Sequence, residues 1–185
     1  MSDGGRLPLV DAESSDPALA RVFDRFRDAG REVPTLYRTL ANAPAMLNAW
    51  VGMAWPLRLE ATTSRAVREL IIMRVAQLTR TGYEWVAHRP MALRCGITAE
   101  QLADLHRWRE SERFSEEERE ALAMTDELTD RLDVSDAVWQ QLAARYQPGE
   151  IVELVLTASY YACVSRTLRA LRLPLDPDDP NLTGF

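Results

Sequence analysis

Glu84 and His88 stand four residues apart in the run Tyr83-Glu84-Trp85-Val86-Ala87-His88. On a helix that spacing puts both side chains on one face, one turn apart. A carboxylate beside an imidazole favours the imidazolium and raises its pKa. Such a histidine can donate a proton near neutral pH, and its neutral fraction can accept one. Glu69 lies on the preceding helical pattern among apolar residues and is a candidate second carboxylate. Tyr83 could donate a hydrogen bond, and Trp85 and Thr81 are candidate substrate-binding residues. The plain alternative is a partly buried histidine satisfied by its helical neighbour, with Tyr83 and Trp85 as core aromatics. No metal is expected, because one Glu-His pair supplies two ligands where three or four are usual. The other histidine, His106, sits in an arginine-rich segment and reads as a surface residue.

These residues need helices to position them. Val67, Leu70, Ile71, Met73, Val75 and Leu78 predict a helix over 65–79, buried on more than one side. Thr81-Gly82 breaks it, and a second helix over 83–95 carries the Glu-His pair, with Pro90 expected to kink it beside His88. Upstream, Asp16-Pro17 starts a helix whose Leu19, Val22, Phe23 and Phe26 form one stripe, and Gly30 closes it. A short piece near Leu36–Leu40 and a helix after Pro44, disturbed by Pro56, follow. Downstream, Thr98 with Gln101 and Ser115 with Glu118 are capping boxes. Ser135 or Asp136 starts the next helix. The last helix, over 150–172, is apolar nearly all round from Ile151 to Val164 and is expected to be central, with Tyr160 and Tyr161 in core or pocket lining. No strand pattern survives, so the fold class is all-α with seven to eight helices. Residues 1–15 read as a flexible N-terminal arm, 16–175 as a single all-α domain, and 176–185 as an extended tail.

Composition narrows the chemistry. The net charge of −6 argues against nucleic acid as a partner. Every basic residue is arginine, and the missing lysine excludes Schiff-base chemistry. Cys95 and Cys163 are far apart, so neither a disulfide framework nor a zinc knuckle is expected, and both read as small buried hydrophobes. No signal peptide and no membrane-spanning run is recognised, and a cytoplasmic location with no membrane partner is the expectation.

The pattern Arg68-Glu69-Leu70, then Tyr83-Glu84-Trp85-x-x-His88, then Ala92 and Gly96, resembles the carboxymuconolactone decarboxylase family, whose superfamily includes alkylhydroperoxidase D. The segments Leu36–Ala41 with Pro44, and Glu150–Val164 with Tyr160-Tyr161, are similar to the longer members. The resemblance implies an alkylhydroperoxidase D-like helical bundle and a homo-oligomer, as a dimer, trimer or hexamer. The peroxidase branch of this family uses a C-x-x-C pair, a histidine four residues after the second cysteine, and a glutamate on the preceding helix. Counted back from His88, the cysteine positions here hold Thr81 and Glu84, while Glu69 occupies the glutamate position. Peroxide reduction by that route needs a thiolate and a resolving thiol, so a peroxidase or peroxiredoxin-type activity is disfavoured.

What the resemblance and the residues together imply is a cofactor-free enzyme. It would act by acid/base proton transfer or decarboxylation on a small organic acid, lactone or carbonyl compound. His88 is the expected acid/base, Glu84 its orienting partner, Glu69 a relay carboxylate and Tyr83 a donor. A non-enzymatic ligand-binding or oligomeric scaffold protein is the alternative, and residual thiol chemistry at Cys95 or Cys163 a third.

Overall fold

A computed structural model describes residues 5–185. Among them are nine α-helices, two 3-10 turns and no strand. The helices are α1 (Pro17–Arg27), α2 (Thr35–Leu40), α3 (Pro44–Leu59), α4 (Arg65–Leu78), α5 (Gly82–Arg94), α6 (Ala99–Asp104), α7 (Glu116–Arg131), α8 (Asp136–Arg145) and α9 (Pro148–Leu171). The all-α reading holds. The count exceeds seven or eight because α2 and α6, of six residues each, form full elements. The chain divides into two compact units, one reaching Glu60 and including Ala170–Pro174, the other comprising Ala61–Arg169 and Leu175–Phe185.

In the first unit the Asp16 carboxylate accepts the Ala18 N–H at 2.9 Å, with Pro17 in the first turn, and so starts α1. Leu19, Val22 and Phe23 turn inward and share a core with Tyr37, Leu47 and Val51. Each fully buried aliphatic or phenyl side chain of this kind contributes about 1.5–3 kcal/mol. Gly30, at φ 61°, supplies the left-handed turn that ends the helix. The described part of the expected loose arm is tied down. Val10 exchanges hydrogen bonds with Arg38, N–H to carbonyl at 3.1 Å and Nε to the Val10 carbonyl at 2.9 Å. The Asn42 side chain donates to the Pro8 carbonyl at 2.8 Å. Carbonyl partners of this sort leave no periodic trace in a sequence.

The second unit is built around α4. Ten consecutive residues, Val67 to Ala76, are buried, so this helix has no solvent face over nearly three turns. It packs on α5 and α7. Its apolar side chains Leu70, Met73 and Ala76 meet Trp85 and Ala92 of α5, Leu102 of α6 and Leu122 of α7. A buried polar cluster locks the same helix to α7: Asp126 accepts from Arg74 Nε at 2.6 Å, from the Trp108 indole at 3.1 Å and from Arg109 at 2.6 Å. The loop before α4 is pinned by Glu153 of α9, whose carboxylate accepts the N–H and hydroxyl groups of both Thr62 and Thr63 at 2.8–3.1 Å. Both capping boxes form with their reciprocal bonds, Thr98 with Gln101 and Ser115 with Glu118. Helix α7 ends on Leu132 in the left-handed region, at φ 62°.

Two expectations change here. Residues 176–185 are not simply extended: Pro180–Leu182 forms a 3-10 turn, and Phe185 lies 5.6 Å from Trp85, ring centre to centre. The tail's aspartates and prolines signal disorder, but its Leu175, Leu182 and Phe185 approach α5 at Gly82, where a side chain would lie 2.8 Å from Leu175. Helix α9, apolar nearly all round and expected to be central, buries Ile151, Leu154, Thr157, Ala158 and Tyr161 but exposes Val152 (55%) and Leu156. No helix is long and apolar enough to cross a membrane among the described residues.

Candidate functional site

The site forms where α4 meets α5. Glu69 is one turn into α4, and Arg65 precedes it by four residues, so the two share a face and pair. Thr81 is the N-cap of α5, Glu84 lies in its first turn, where a carboxylate suits the positive helix end, and His88 follows one turn later. Helix α5 runs through Pro90 as one element. Proline there cannot bond back to the Val86 carbonyl.

His88 is held between two carboxylates. Its Nδ1 lies 2.7 Å from Glu69 Oε2, and its Nε2 lies 3.0 Å from Glu84 Oε1. A neutral imidazole can donate from only one nitrogen, so only the imidazolium satisfies both acceptors. Burial opposes the charged ring and is the largest single influence, yet the attraction and hydrogen bonds of Glu69 and Glu84 together outweigh it and raise the His88 pKa above its ordinary value. Across the ring, Tyr161 of α9 packs edge-on, with centroids 4.9 Å apart at 84°, and Tyr160 meets Tyr161 in the same manner at 5.4 Å.

The charges balance. Arg65 and His88 carry two positive charges, Glu69 and Glu84 two negative ones. Without that pairing, burying these groups would cost several kcal/mol per ion. Glu69, Glu84 and His88 are 0%, 3% and 4% exposed. The Arg65 side chain, at 28%, is the one member that reaches solvent appreciably.

The structure therefore brings together three of the residues selected from sequence, Glu69, Glu84 and His88, and adds Arg65, whose spacing of four from Glu69 was a legible signal. The remaining candidates fall elsewhere. Trp85 is wholly buried in the hydrophobic core, and its indole N–H has no acceptor there among the described residues. Thr81 is buried, with its hydroxyl 3.0 Å from that of Thr79. Tyr83 is half-buried at the start of α5. His106 is exposed, its Nδ1 2.9 Å from the Ala103 carbonyl. Cys95 is half-buried and Cys163 exposed, a correction to the expectation that both are interior. Among the described residues no group of three or more His, Cys, Asp or Glu side chains is arranged around a metal position.

With both ring nitrogens engaged, a proton on His88 has two exits, Glu69 and Glu84. The arrangement is a short chain, carboxylate–imidazolium–carboxylate, whose hydrogen bonds are already formed and along which a proton can pass.

Residues 44–127, from α3 through most of α7, match the model of the carboxymuconolactone decarboxylase family. Over 99 residues the chain is 29% identical to the uncharacterized protein YdfG of Bacillus subtilis (strain 168), which covers 52% of this chain and 67% of that one. Among solved structures it is similar to an uncharacterized peroxidase-related protein with an alkylhydroperoxidase AhpD core from Ralstonia eutropha JMP134, at TM-score 0.81 and 16% identity over 100% of this chain and 98% of that one. It is also similar to the debrominase Bmp8, at TM-score 0.79 and 16% identity over 100% and 98%. At these identities the two structures bear on the fold, and they agree with the helical bundle described above. Residues 44–127 thus carry the match to the carboxymuconolactone decarboxylase family, and the chain as a whole adopts an alkylhydroperoxidase D-like helical bundle whose sequence lacks a C-x-x-C pair.

Proposed function

We propose that this protein is a cofactor-free acid/base enzyme acting on a small organic acid, lactone or carbonyl compound. The reaction is proton transfer or decarboxylation. The observation that supports this most is the Glu69–His88–Glu84 relay, with a carboxylate at the position where the peroxidase branch carries its second cysteine. A thiol there serves redox chemistry, whereas a carboxylate coupled to an imidazolium serves proton chemistry. In a decarboxylation the bond to the carboxylate carbon breaks, carbon dioxide leaves with that carbon, and the electron pair stays on the substrate. The resulting enolate-like carbon then takes a proton. In this reading Glu84 delivers that proton, His88 resupplies it and Glu69 steadies the charge on the ring. Substrate reaches the relay by opening at Arg65, its most exposed member. On the family resemblance we take the enzyme to be a homo-oligomer, and we propose a cytoplasmic location for it.

The near-complete burial of the three relay residues favours the second reading, a scaffold in which the same groups are a structural ion-pair cluster. Solvent deuterium exchange into a panel of small keto acids, lactones and hydroxy acids separates the two. The enzyme reading expects incorporation or carbon dioxide release by the parent, and at least a hundredfold less by Glu84→Gln and by His88→Gln, both folded and assembled like the parent. Equal rates in the variants would refute the site assignment. No turnover across the panel would favour the scaffold. Peroxide turnover lost on Cys95→Ser or Cys163→Ser would instead favour thiol chemistry.

A further inference from the structure

The first unit contains a cavity of about 500 Å³, unrelated to the relay. Its size falls among ordinary small-molecule sites, roughly 300–1,000 Å³. Arg6 and Arg38 line it, with Thr39 and an apolar wall that includes Leu7, Leu171 and Leu173. Among the described residues no acidic one lines it. Both arginines are aimed by backbone carbonyls: Arg6 Nη1 donates to Ala170 at 3.1 Å, and Arg38 Nε donates to Val10 at 2.9 Å. A carbonyl orients a guanidinium but does not neutralise it. Neither arginine has a carboxylate partner among the described residues.

Ordinary structural roles account for part of this. Arg6 closes the last carbonyls of α9, which have no partner within the helix. Arg38 is not explained that way. It spends one of five N–H donors on Val10 while half-buried beside an apolar wall. Two arginines without a carboxylate partner among the described residues line this cavity and, in a chain of net charge −6, form a receptor for an anion. The apolar wall asks for a ligand with a hydrocarbon body.

We propose that this cavity binds a small organic anion with an apolar body, its carboxylate on Arg38 and Arg6 and its carbon chain along Leu7, Leu171 and Leu173. The site lies in the unit without the relay, and it stands whether or not the relay is catalytic.

Titration calorimetry of the full chain tests it with hexanoate, 1-hexanol and inorganic phosphate. Hexanoate binds saturably, and 1-hexanol and phosphate bind about tenfold or more weakly, because each lacks one of the two recognition elements. Arg38→Gln weakens hexanoate about tenfold and leaves 1-hexanol unchanged. Leu7→Glu, at an exposed position, weakens hexanoate and 1-hexanol alike, because it puts a carboxylate into the apolar wall. His88→Gln retains hexanoate binding. The proposal is overturned if hexanoate does not saturate, if 1-hexanol or phosphate binds as tightly, if both cavity variants bind like the parent, or if binding is lost in His88→Gln.

Discussion

Glu69→Gln isolates the charge that balances the buried relay. Glutamine keeps the shape of the side chain and can still accept one hydrogen bond, but the count of two positive and two negative charges becomes two to one. Glu69 has no solvent exposure and lies 2.7 Å from the His88 ring, so water cannot replace it. Removing one partner of a buried ion pair costs about 3–5 kcal/mol, and the hydrogen bond that glutamine keeps argues for about 3. At this chain length that lowers Tm by roughly 6–12 °C. The loss depends on pH, with a definite sign. His88 has a raised pKa in the folded protein, so its contribution to stability is complete below its ordinary value near 6.5 and fades as pH rises through the folded value. The gap between parent and variant is therefore widest on the acid side of neutrality and narrows toward alkaline pH. Urea unfolding across pH 5.5–9 measures the gap. Proton NMR of the His88 imidazole follows its titration directly. A variant within about 0.5 kcal/mol of the parent at every pH, with an unmoved His88 midpoint, would refute the charge-balance reasoning.

Other perturbations test the frame around the relay. Asp126→Ala strips Arg74 of its buried carboxylate and should cost about 3 kcal/mol in urea unfolding; a cost below 1 would mean that the cluster does not hold α4 to α7. Leu132→Gly relieves a left-handed leucine at the end of α7 whose side chain is 73% exposed, and should raise stability by up to about 1 kcal/mol. A lower Tm in that variant would show that the leucine contributes contacts outweighing the backbone strain.

Much of the helical frame was legible because its signals are local. Asp16-Pro17, the Thr98 and Ser115 boxes, and the apolar density of α4 each act within a few residues. The Glu84–His88 contact was legible for the same reason, since four residues on one helix fix the distance. The Glu69–His88 bond joins residues 19 apart on two helices, so periodicity could place each carboxylate on a face but not bring them together; the family resemblance singled out Glu69. What sequence could not reveal depends on distant partners. Trp85 reads equally as pocket wall or core until Phe185, a hundred residues later, covers it. The hold of Val10 on Arg38 is carried by backbone atoms, which every residue possesses.

The depth of the relay sets a clock for the site. A proton lying between Glu69 and Glu84 is largely shielded from water by its own packing, and its exchange with bulk is expected to follow local opening of the structure. Between openings the charge state of His88 is a memory of the last one. Any process the relay serves is then paced by breathing of the α4–α5 contact rather than by proton hops, which are short here. A mutation that loosens that contact far from His88 would quicken exchange without touching a relay residue.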